Sequence, residues 1–162
     1  MTLTTLTVDG QAITLRQAAL SDLGAIVALL ADDEVRAADA STTDADREGY
    51  ERSFRAIDAD PAHLLVVATS ATDSVVATMQ LTFLPGLSRG GATRLQIEAV
   101  RVHSGVRGLG LGGAMIDWAI GEGRRRGASL VQLTSDNSRA DAHRFYERLG
   151  FTRSHAGFKL SI

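Results

Sequence analysis

The chain has 162 residues, 44% of them apolar, and a formal net charge of −2. A chain of this length builds one hydrophobic core and is short for two, so a single domain over residues 1–162 is predicted. It contains no cysteine, which excludes a disulfide scaffold, a thiolate metal site and a cysteine nucleophile.

The N-terminal sequence and the charge distribution bear on location and partners. The first residues lack the basic start and long apolar run of a signal peptide, and no segment is apolar enough to span a membrane, so we expect a cytoplasmic protein that binds no membrane. Aromatic residues make up only 5%, too few for a nucleic-acid surface, and the four scattered histidines predict no metal site. Residues 101–162 hold ten bases against five acids. This excess of positive charge either attracts an anionic ligand or is ordinary charge on the solvated surface.

The first third of the chain is predicted to contain one strand and two amphipathic helices. Residues 11–16 form the strand, and Ser21 caps the first helix. The apolar stripe of this helix comprises Leu23, Ile26, Val27 and Leu30. Thr43 and Asp46 resemble a capping box that opens the second helix. One face of the second helix carries Tyr50, Phe54 and Ile57.

Two apolar, β-branched runs follow and predict an antiparallel hairpin. They span His63–Thr69 and Ser74–Leu84 and are separated by a short polar turn. Pro85–Ala92, which is rich in glycine, leads to the next strand. This connection is either a lid over a site or an ordinary flexible loop.

The second half of the chain alternates strand and helix. A strand is predicted to end at Val102, and the next helix carries an apolar stripe of Leu111, Met115, Trp118 and Ala119. Gly127 ends that helix, and Leu130–Leu133 forms a buried strand. A last helix is predicted to begin at Ser138 and to end at Gly150. Its inward face carries Ala142, Phe145, Tyr146 and Leu149. Residues 151–162 are predicted to return as one or two closing strands, which gives an α/β layer structure with a mostly antiparallel sheet.

A glycine-rich segment lies where the fourth predicted strand gives way to the long helix. It comprises Arg107, Gly108, Leu109, Gly110, Leu111 and Gly112. Glycines let the backbone approach an anion, and the first turn of a helix aims unpaired N–H groups at it. Arg107 adds a forked donor that matches phosphate oxygens. The segment matches neither the dinucleotide fingerprint nor a Walker loop, and a tight turn without a ligand remains the alternative.

With these elements in this order, the chain resembles the GNAT superfamily of acetyl-CoA-dependent N-acetyltransferases over nearly its full length. The family's signature Arg/Gln-x-x-Gly-x-Gly/Ala is met by residues 107–112. A second signature, Ala-x-x-Phe-Tyr-Glu-x-x-Gly-Phe, is met by residues 142–151. The resemblance implies a mixed, mostly antiparallel sheet of six to seven strands flanked by about four helices. It also implies acetyl-CoA as co-substrate and no metal.

The resemblance further implies which residues hold acetyl-CoA. Backbone N–H groups from Arg107 through Gly112 would hold its pyrophosphate, with Gly110 and Gly112 giving room for close approach. Val100 and Val102 would offer backbone groups to the pantetheine arm and the acetyl carbonyl. Asn137 could also reach the pantetheine, although the family often places this asparagine seven residues before the tyrosine, where this chain has Arg139.

Two side chains match catalytic positions. Tyr146 matches the general acid that protonates the departing CoA thiolate, and its alternative is a core aromatic residue. Glu98 would be the base that deprotonates the amine, directly or through water, and its alternative is a structural salt bridge. By strand alternation, Glu98 is expected to be buried on the same face as Val100 and Val102.

The implied function is transfer of an acetyl group to a primary amine, with a small molecule as the expected acceptor, by direct attack in a ternary complex. Residues 32–60 contain ten acids against four arginines, which favours a cationic acceptor unless they form a solvated helix face. Arg89 leaves room for an acceptor with an anionic group. The alternatives are a non-catalytic acyl-CoA sensor or interaction module, and a protein acetyltransferase. A homodimer through the C-terminal strands is compatible with catalysis.

Overall fold

The computed structural model describes residues 1–32 and 44–162, which build one six-stranded sheet with helices on both faces. The strands are β1 (Thr2–Val8), β2 (Gln11–Gln17), β3 (His63–Thr69), β4 (Val75–Pro85), β5 (Thr93–Val102) and β6 (Ala128–Leu133). They lie side by side in chain order, and all neighbours are antiparallel except β5 and β6, which are parallel. The predicted α/β class and its mixed, mostly antiparallel sheet are therefore confirmed.

Five helices are described, against about four predicted. They are α1 (Leu23–Ala31), α2 (Asp44–Ala59), the single turn α3 (Ser88–Gly91), α4 (Leu111–Arg125) and α5 (Ala140–Arg148). Alternate residues of β3 show how the sheet is covered. Leu64 and Val66 pack in one cluster with Met115 of α4, whereas Val67 packs in another with Phe54 of α2. No helix within the described ranges is both long enough and apolar enough to cross a membrane.

The two ends of the chain differ from the prediction. β1 was not predicted, although Asp9 and Gly10 are the dipeptide that marks a hairpin with a mirror-image turn, and their φ values are 48° and 74°. The closing strands predicted for residues 151–162 are wrong, because these residues are described throughout and form neither helix nor strand. The outer edge of β6 therefore has no neighbour in the described sheet.

The start of α1 is fixed by an ion pair rather than by the predicted Ser21 cap. Asp22 occupies the position before α1, and its carboxylate accepts the Ala19 N–H at 2.7 Å. The Arg16 guanidinium donates to both oxygens of Asp22, at 2.7 and 2.9 Å. These hydrogen bonds lower the pKa of Asp22 although its burial opposes the shift. The predicted cap at Thr43 lies outside the described residues.

The lowered pKa predicts an acid-sensitive contribution to stability. A carboxyl group whose pKa is lower in the folded state stabilises the fold above its unfolded pKa of about 3.9, and this contribution is lost as the pH falls through the folded value. Asp22→Asn keeps an acceptor for Ala19 but removes the charge. It should lower the free energy of unfolding near neutral pH by about 2 kcal/mol.

Urea unfolding across about pH 7 to about pH 3 measures this effect, and the deficit of the variant should shrink below about pH 4. Asp73→Asn is the matched control, because Asp73 lies 3.9 Å from Arg16 but is 80% exposed. It should change the stability by less than about 0.5 kcal/mol. A deficit for Asp22→Asn that stays constant with pH would contradict the assignment.

Candidate active site

The glycine-rich segment forms an open corner at the start of α4. Gly108 and Gly110 have φ values of 82° and 93°, a region in which side chains are strained. A Cβ atom added at either glycine would meet no atom within 4 Å. α4 begins at Leu111, so the N–H groups of its first turn lack helical acceptors. Positive φ, open space and unpaired donors together fit a pyrophosphate, as the sequence predicts.

The other members of the motif have different surroundings. Leu109 is exposed, whereas Leu111 is buried in the core. A Cβ added at Gly112 would lie 3.5 Å from Cζ of Phe145 and 3.7 Å from Cγ2 of Val102. Gly112 thus lies where α4 packs against α5 and β5, and its part in giving room for the cofactor stays a prediction.

The Arg107 side chain is bonded within the protein. Its Nε donates to the carbonyl of Val102 at 2.8 Å, and its Nη2 donates to the Asp32 carboxylate at 2.8 Å. These contacts tie the end of β5 to the end of α1. In this conformation the guanidinium orients the backbone beside the corner, while phosphate binding by Arg107 stays a prediction.

A β-bulge in β5 changes which side chains face which side of the sheet. Gln80 of β4 lies opposite Glu98, and Thr78, two residues earlier, lies opposite Arg101, three residues after Glu98. The strand β5 therefore has one extra residue in this interval. Ala99 lies in this interval and has a left-handed φ of 52°. No sequence signal marks the bulge, because alanine is uncommon in this conformation.

The bulge overturns the expected position of Glu98. Leu95 lies against Gly123 of α4, and Val102 lies against Gly112 of the same helix. These two side chains share a face although they are seven positions apart, so the alternation is interrupted between them. Glu98 precedes the bulge, lies on the opposite face from Leu95 and is exposed. It is neither buried nor on the face of Val102.

The backbone after the bulge is directed toward a gap in the sheet. The His103 N–H donates to the Val76 carbonyl at 2.8 Å, which marks a hydrogen-bonded pair. Pairs alternate in an antiparallel ladder, so Val102, one residue earlier, turns its N–H away from β4. On the side of β5 that faces away from β4, the pairing of β5 with β6 ends at Ile97 and Leu133. The strands therefore leave room for an extended ligand.

Arginines hold the carbonyl groups on this segment. The Val100 carbonyl accepts from Nη1 of Arg101 at 2.8 Å, and the Val102 carbonyl accepts from Arg107 as described above. Each carbonyl thus has a protein partner. The N–H groups of Val100 and Val102 are the backbone groups proposed for an incoming ligand.

Tyr146 lies on α5 in an aromatic cluster. Its ring centroid lies 5.1 Å from that of Phe145 and 5.9 Å from that of Phe151, both in edge-to-face geometry. Burial raises the pKa of the Tyr146 hydroxyl, and the positive charges of Arg139 and Arg101 partly oppose this shift. The hydroxyl therefore stays protonated at neutral pH.

Sequence reasoning did not assign roles to Arg101 and Arg139, the cations that act on Tyr146. The only sequence feature that pointed to these two arginines was the excess of basic residues in the second half of the chain, and this excess does not identify individual residues. Asn137 is exposed, and its Oδ1 accepts from Arg153 at 2.8 Å. Its side-chain NH₂ is the group proposed for a pantetheine contact. Within residues 1–32 and 44–162, no three metal-ligating side chains come together.

Comparisons with known proteins show one family. A family model described as the acetyltransferase (GNAT) family matches residues 26–151. The aminoalkylphosphonate N-acetyltransferase of Salmonella typhimurium is 40% identical over 67 residues, which are 41% of this chain and 44% of that protein. This match thus spans less than half of either protein.

Two crystal structures share the fold. A transcriptional regulator from Bacillus halodurans C-125 superposes with a TM-score of 0.87 and 40% identity, covering 93% of this chain and 99% of that one. Glucosamine-6-phosphate N-acetyltransferase from Arabidopsis thaliana gives a TM-score of 0.73 and 24% identity, covering 92% of this chain and 97% of that one. At this identity, the second comparison supports the fold alone.

The corner predicts that Gly110 cannot carry a side chain without loss of ligand binding. Gly110→Val would strain the backbone at φ 93° and place methyl groups in the open space. Calorimetry should show at least about tenfold weaker binding of acetyl-CoA, a difference of about 1.4 kcal/mol. Gly121→Val is the control, because Gly121 is exposed on α4 with no neighbour within 4 Å. Unchanged affinity for Gly110→Val would contradict the anion-binding role.

Proposed function

Because the chain belongs to the acetyltransferase (GNAT) family, we propose that it moves an acetyl group from acetyl-CoA to the primary amine of a small molecule. The attack is direct, within a ternary complex. The observation that carries this proposal is the open α4 corner beside the gap at Val102, with Phe145, the neighbour of Tyr146 in the sequence, 3.5 Å from a Cβ added at Gly112. An enzyme of this family is an acyltransferase, and the family uses acetyl-CoA as donor of the acyl group.

The corner and the gap supply binding and charge stabilisation. The unpaired N–H groups at the start of α4 hold the pyrophosphate, with the positive end of the helix dipole behind them. The Val102 N–H, directed away from β4, stabilises the negative charge that develops on the acetyl carbonyl oxygen. Arg107, bonded to the Val102 carbonyl, holds the peptide unit that follows and limits movement of this residue, so that little reorganisation is needed during reaction.

Proton transfer requires an acid and a base. The raised pKa of Tyr146 means that its hydroxyl is protonated and can donate a proton to the sulfur as the thiolate departs. Glu98 takes the proton from the amine, directly or through water, because a protonated amine has no lone pair for attack. Because Glu98 lies beside the bulge on the face opposite α4, we infer that the acceptor binds on that face.

We further propose that the acceptor carries an anionic group. The matching Salmonella protein is described as acting on aminoalkylphosphonates, and such molecules combine an amine with a phosphonate. Arg101 and Arg139 create a positive field at Tyr146, which complements this charge. A purely cationic acceptor would depend on the acidic residues 32–60, and residues 33–43 of that stretch lie outside the described ranges.

A second candidate is a protein that binds acyl-CoA without turnover. It is favoured by the Bacillus halodurans protein, which is described as a transcriptional regulator and is 40% identical. Such a role needs neither an acid nor a base, so the presence of a tyrosine and a glutamate at the positions of the family's acid and base favours catalysis. Binding of acetyl-CoA without release of thiol across all amines would favour this second candidate.

Tyr146→Phe should separate chemistry from binding. Removal of the hydroxyl eliminates proton transfer to the leaving sulfur, so kcat should fall by about 10²-fold or more. The Kd of acetyl-CoA should change by less than about threefold, because the aromatic packing is kept. Single-turnover kinetics and calorimetry give the two quantities. An unchanged kcat would remove Tyr146 from the mechanism.

The acceptor class is tested by release of free thiol from acetyl-CoA. Aminoalkylphosphonates should give kcat/KM values at least about tenfold above those of the same alkylamines without the phosphonate, since a charge-assisted contact contributes about 1.5–3 kcal/mol. The panel includes polyamines, aminoglycosides and lysine peptides, with Tyr146→Phe as the inactive control. Preference for polyamines or peptides would contradict the anionic acceptor and leave the acetyltransferase assignment intact.

A further inference from the structure

We propose that the hydroxyl of Ser135 binds an amide group of the pantetheine arm of acetyl-CoA. Ser135 lies two residues after Leu133, the last residue of β6. The inference rests on the proposed function, because it places the arm of acetyl-CoA in the gap where β5 and β6 separate. It adds one side chain from the β6 side of that gap to the backbone groups of β5.

The Ser135 hydroxyl is shielded from solvent and unpaired. Its Oγ is buried and has no hydrogen-bond partner among residues 1–32 and 44–162. By contrast, two buried hydroxyls on β4 have protein partners. That of Thr78 donates to the Val66 carbonyl at 3.0 Å, and that of Thr82 lies 3.0 Å from Nδ1 of His63. A buried hydroxyl without a partner destabilises the free protein, and a bound ligand that pairs with it removes this cost.

The turn after β6 does not need this hydroxyl for its own structure. The Asp136 carboxylate accepts from the N–H and the hydroxyl of Ser138, at 2.9 and 2.6 Å. The Asp136 carbonyl accepts from the Arg139 N–H at 3.1 Å and lies 2.8 Å from Nε2 of His143. These local hydrogen bonds connect the turn to α5, so the Ser135 hydroxyl is left for a ligand.

The register of the sheet places Ser135 beside the gap. The last pair of β5 and β6 is Ile97 and Leu133. Continued pairing would set Ser135 opposite Ala99, the bulged residue, so Ser135 lies at the level where the strands separate. Leu133 packs against the core cluster that contains Met115 of α4. Side chains alternate along an extended chain, so the side chain two positions after Leu133 is directed to the same α4 face.

This face favours the arm of acetyl-CoA over the acceptor as the partner of Ser135. The inferred acceptor side is that of Glu98, opposite α4, whereas the pyrophosphate to which the arm is attached is proposed to bind at the start of α4. The arm carries amide groups and no charge, which suits a neutral hydroxyl that both donates and accepts. An anionic group of an acceptor would instead be paired best by an arginine.

Calorimetry with acetyl-CoA and with 3′-phospho-ADP, the part of CoA that lacks the arm, tests this contact. Ser135→Ala should raise the Kd of acetyl-CoA by about fivefold or more, as expected for loss of one hydrogen bond. It should change the Kd of 3′-phospho-ADP by less than about twofold. Thr134→Ala is the matched control, because it removes the neighbouring, exposed hydroxyl. This control should leave both Kd values within about twofold of the wild type.

The stability of the ligand-free protein separates binding from a structural role. Since the hydroxyl has no protein partner, Ser135→Ala should leave the urea midpoint unchanged or raise it. A lower midpoint, or equal weakening of both ligands, would overturn the proposal, because the hydroxyl would then support the fold. An unchanged Kd of acetyl-CoA would also overturn it and would assign the hydroxyl to bound water. A wild-type chain that does not bind acetyl-CoA would overturn the proposed function as well, which distinguishes the two failures.

Discussion

The arrangement of the site depends on one irregularity in β5, the bulge at Ala99. The extra residue shifts the alternation of side chains, so Val102 faces α4 while Glu98 faces the other side of the sheet. The strand leaves β6 after Ile97, and the Val102 N–H is directed away from β4 toward the gap. Without the bulge, regular pairing would continue and the proposed acid and base would not act from opposite sides of one opening.

The start of α4 adds a second constraint that only backbone atoms can meet. Gly108 and Gly110 adopt positive φ values next to open space, which requires residues without side chains. Gly112 lies on the packed side of α4, where an added Cβ would lie 3.5 Å from Cζ of Phe145. One motif thus has two glycines that face open space and a third that faces a neighbouring helix.

The sequence predicted the regular parts of the fold better than the irregular ones. The β3–β4 hairpin and α4 followed from apolar periodicity and glycine stops, because these signals are local. The bulge at Ala99 was not predictable, since it depends on tertiary pairing and alanine gives no signal for positive φ. The expected burial of Glu98 failed for the same reason. The exposed end of the chain also departed from prediction, because an alternating pattern indicates a strand but does not identify its partner.

Two arginines of the basic second half of the chain bind the protein's own backbone beside the gap. Arg101 and Arg107 donate to the carbonyls of Val100 and Val102, the residues whose N–H groups are proposed to contact the ligand. A cation on a carbonyl oxygen holds the peptide unit that follows the residue and fixes the orientation of the strand, which lowers the reorganisation needed when negative charge develops. Lysine could supply the charge but not the forked geometry by which Arg107 holds Val102 and Asp32 together. A role for arginine at position 107 therefore follows from positioning of the backbone, independently of the predicted contact with phosphate.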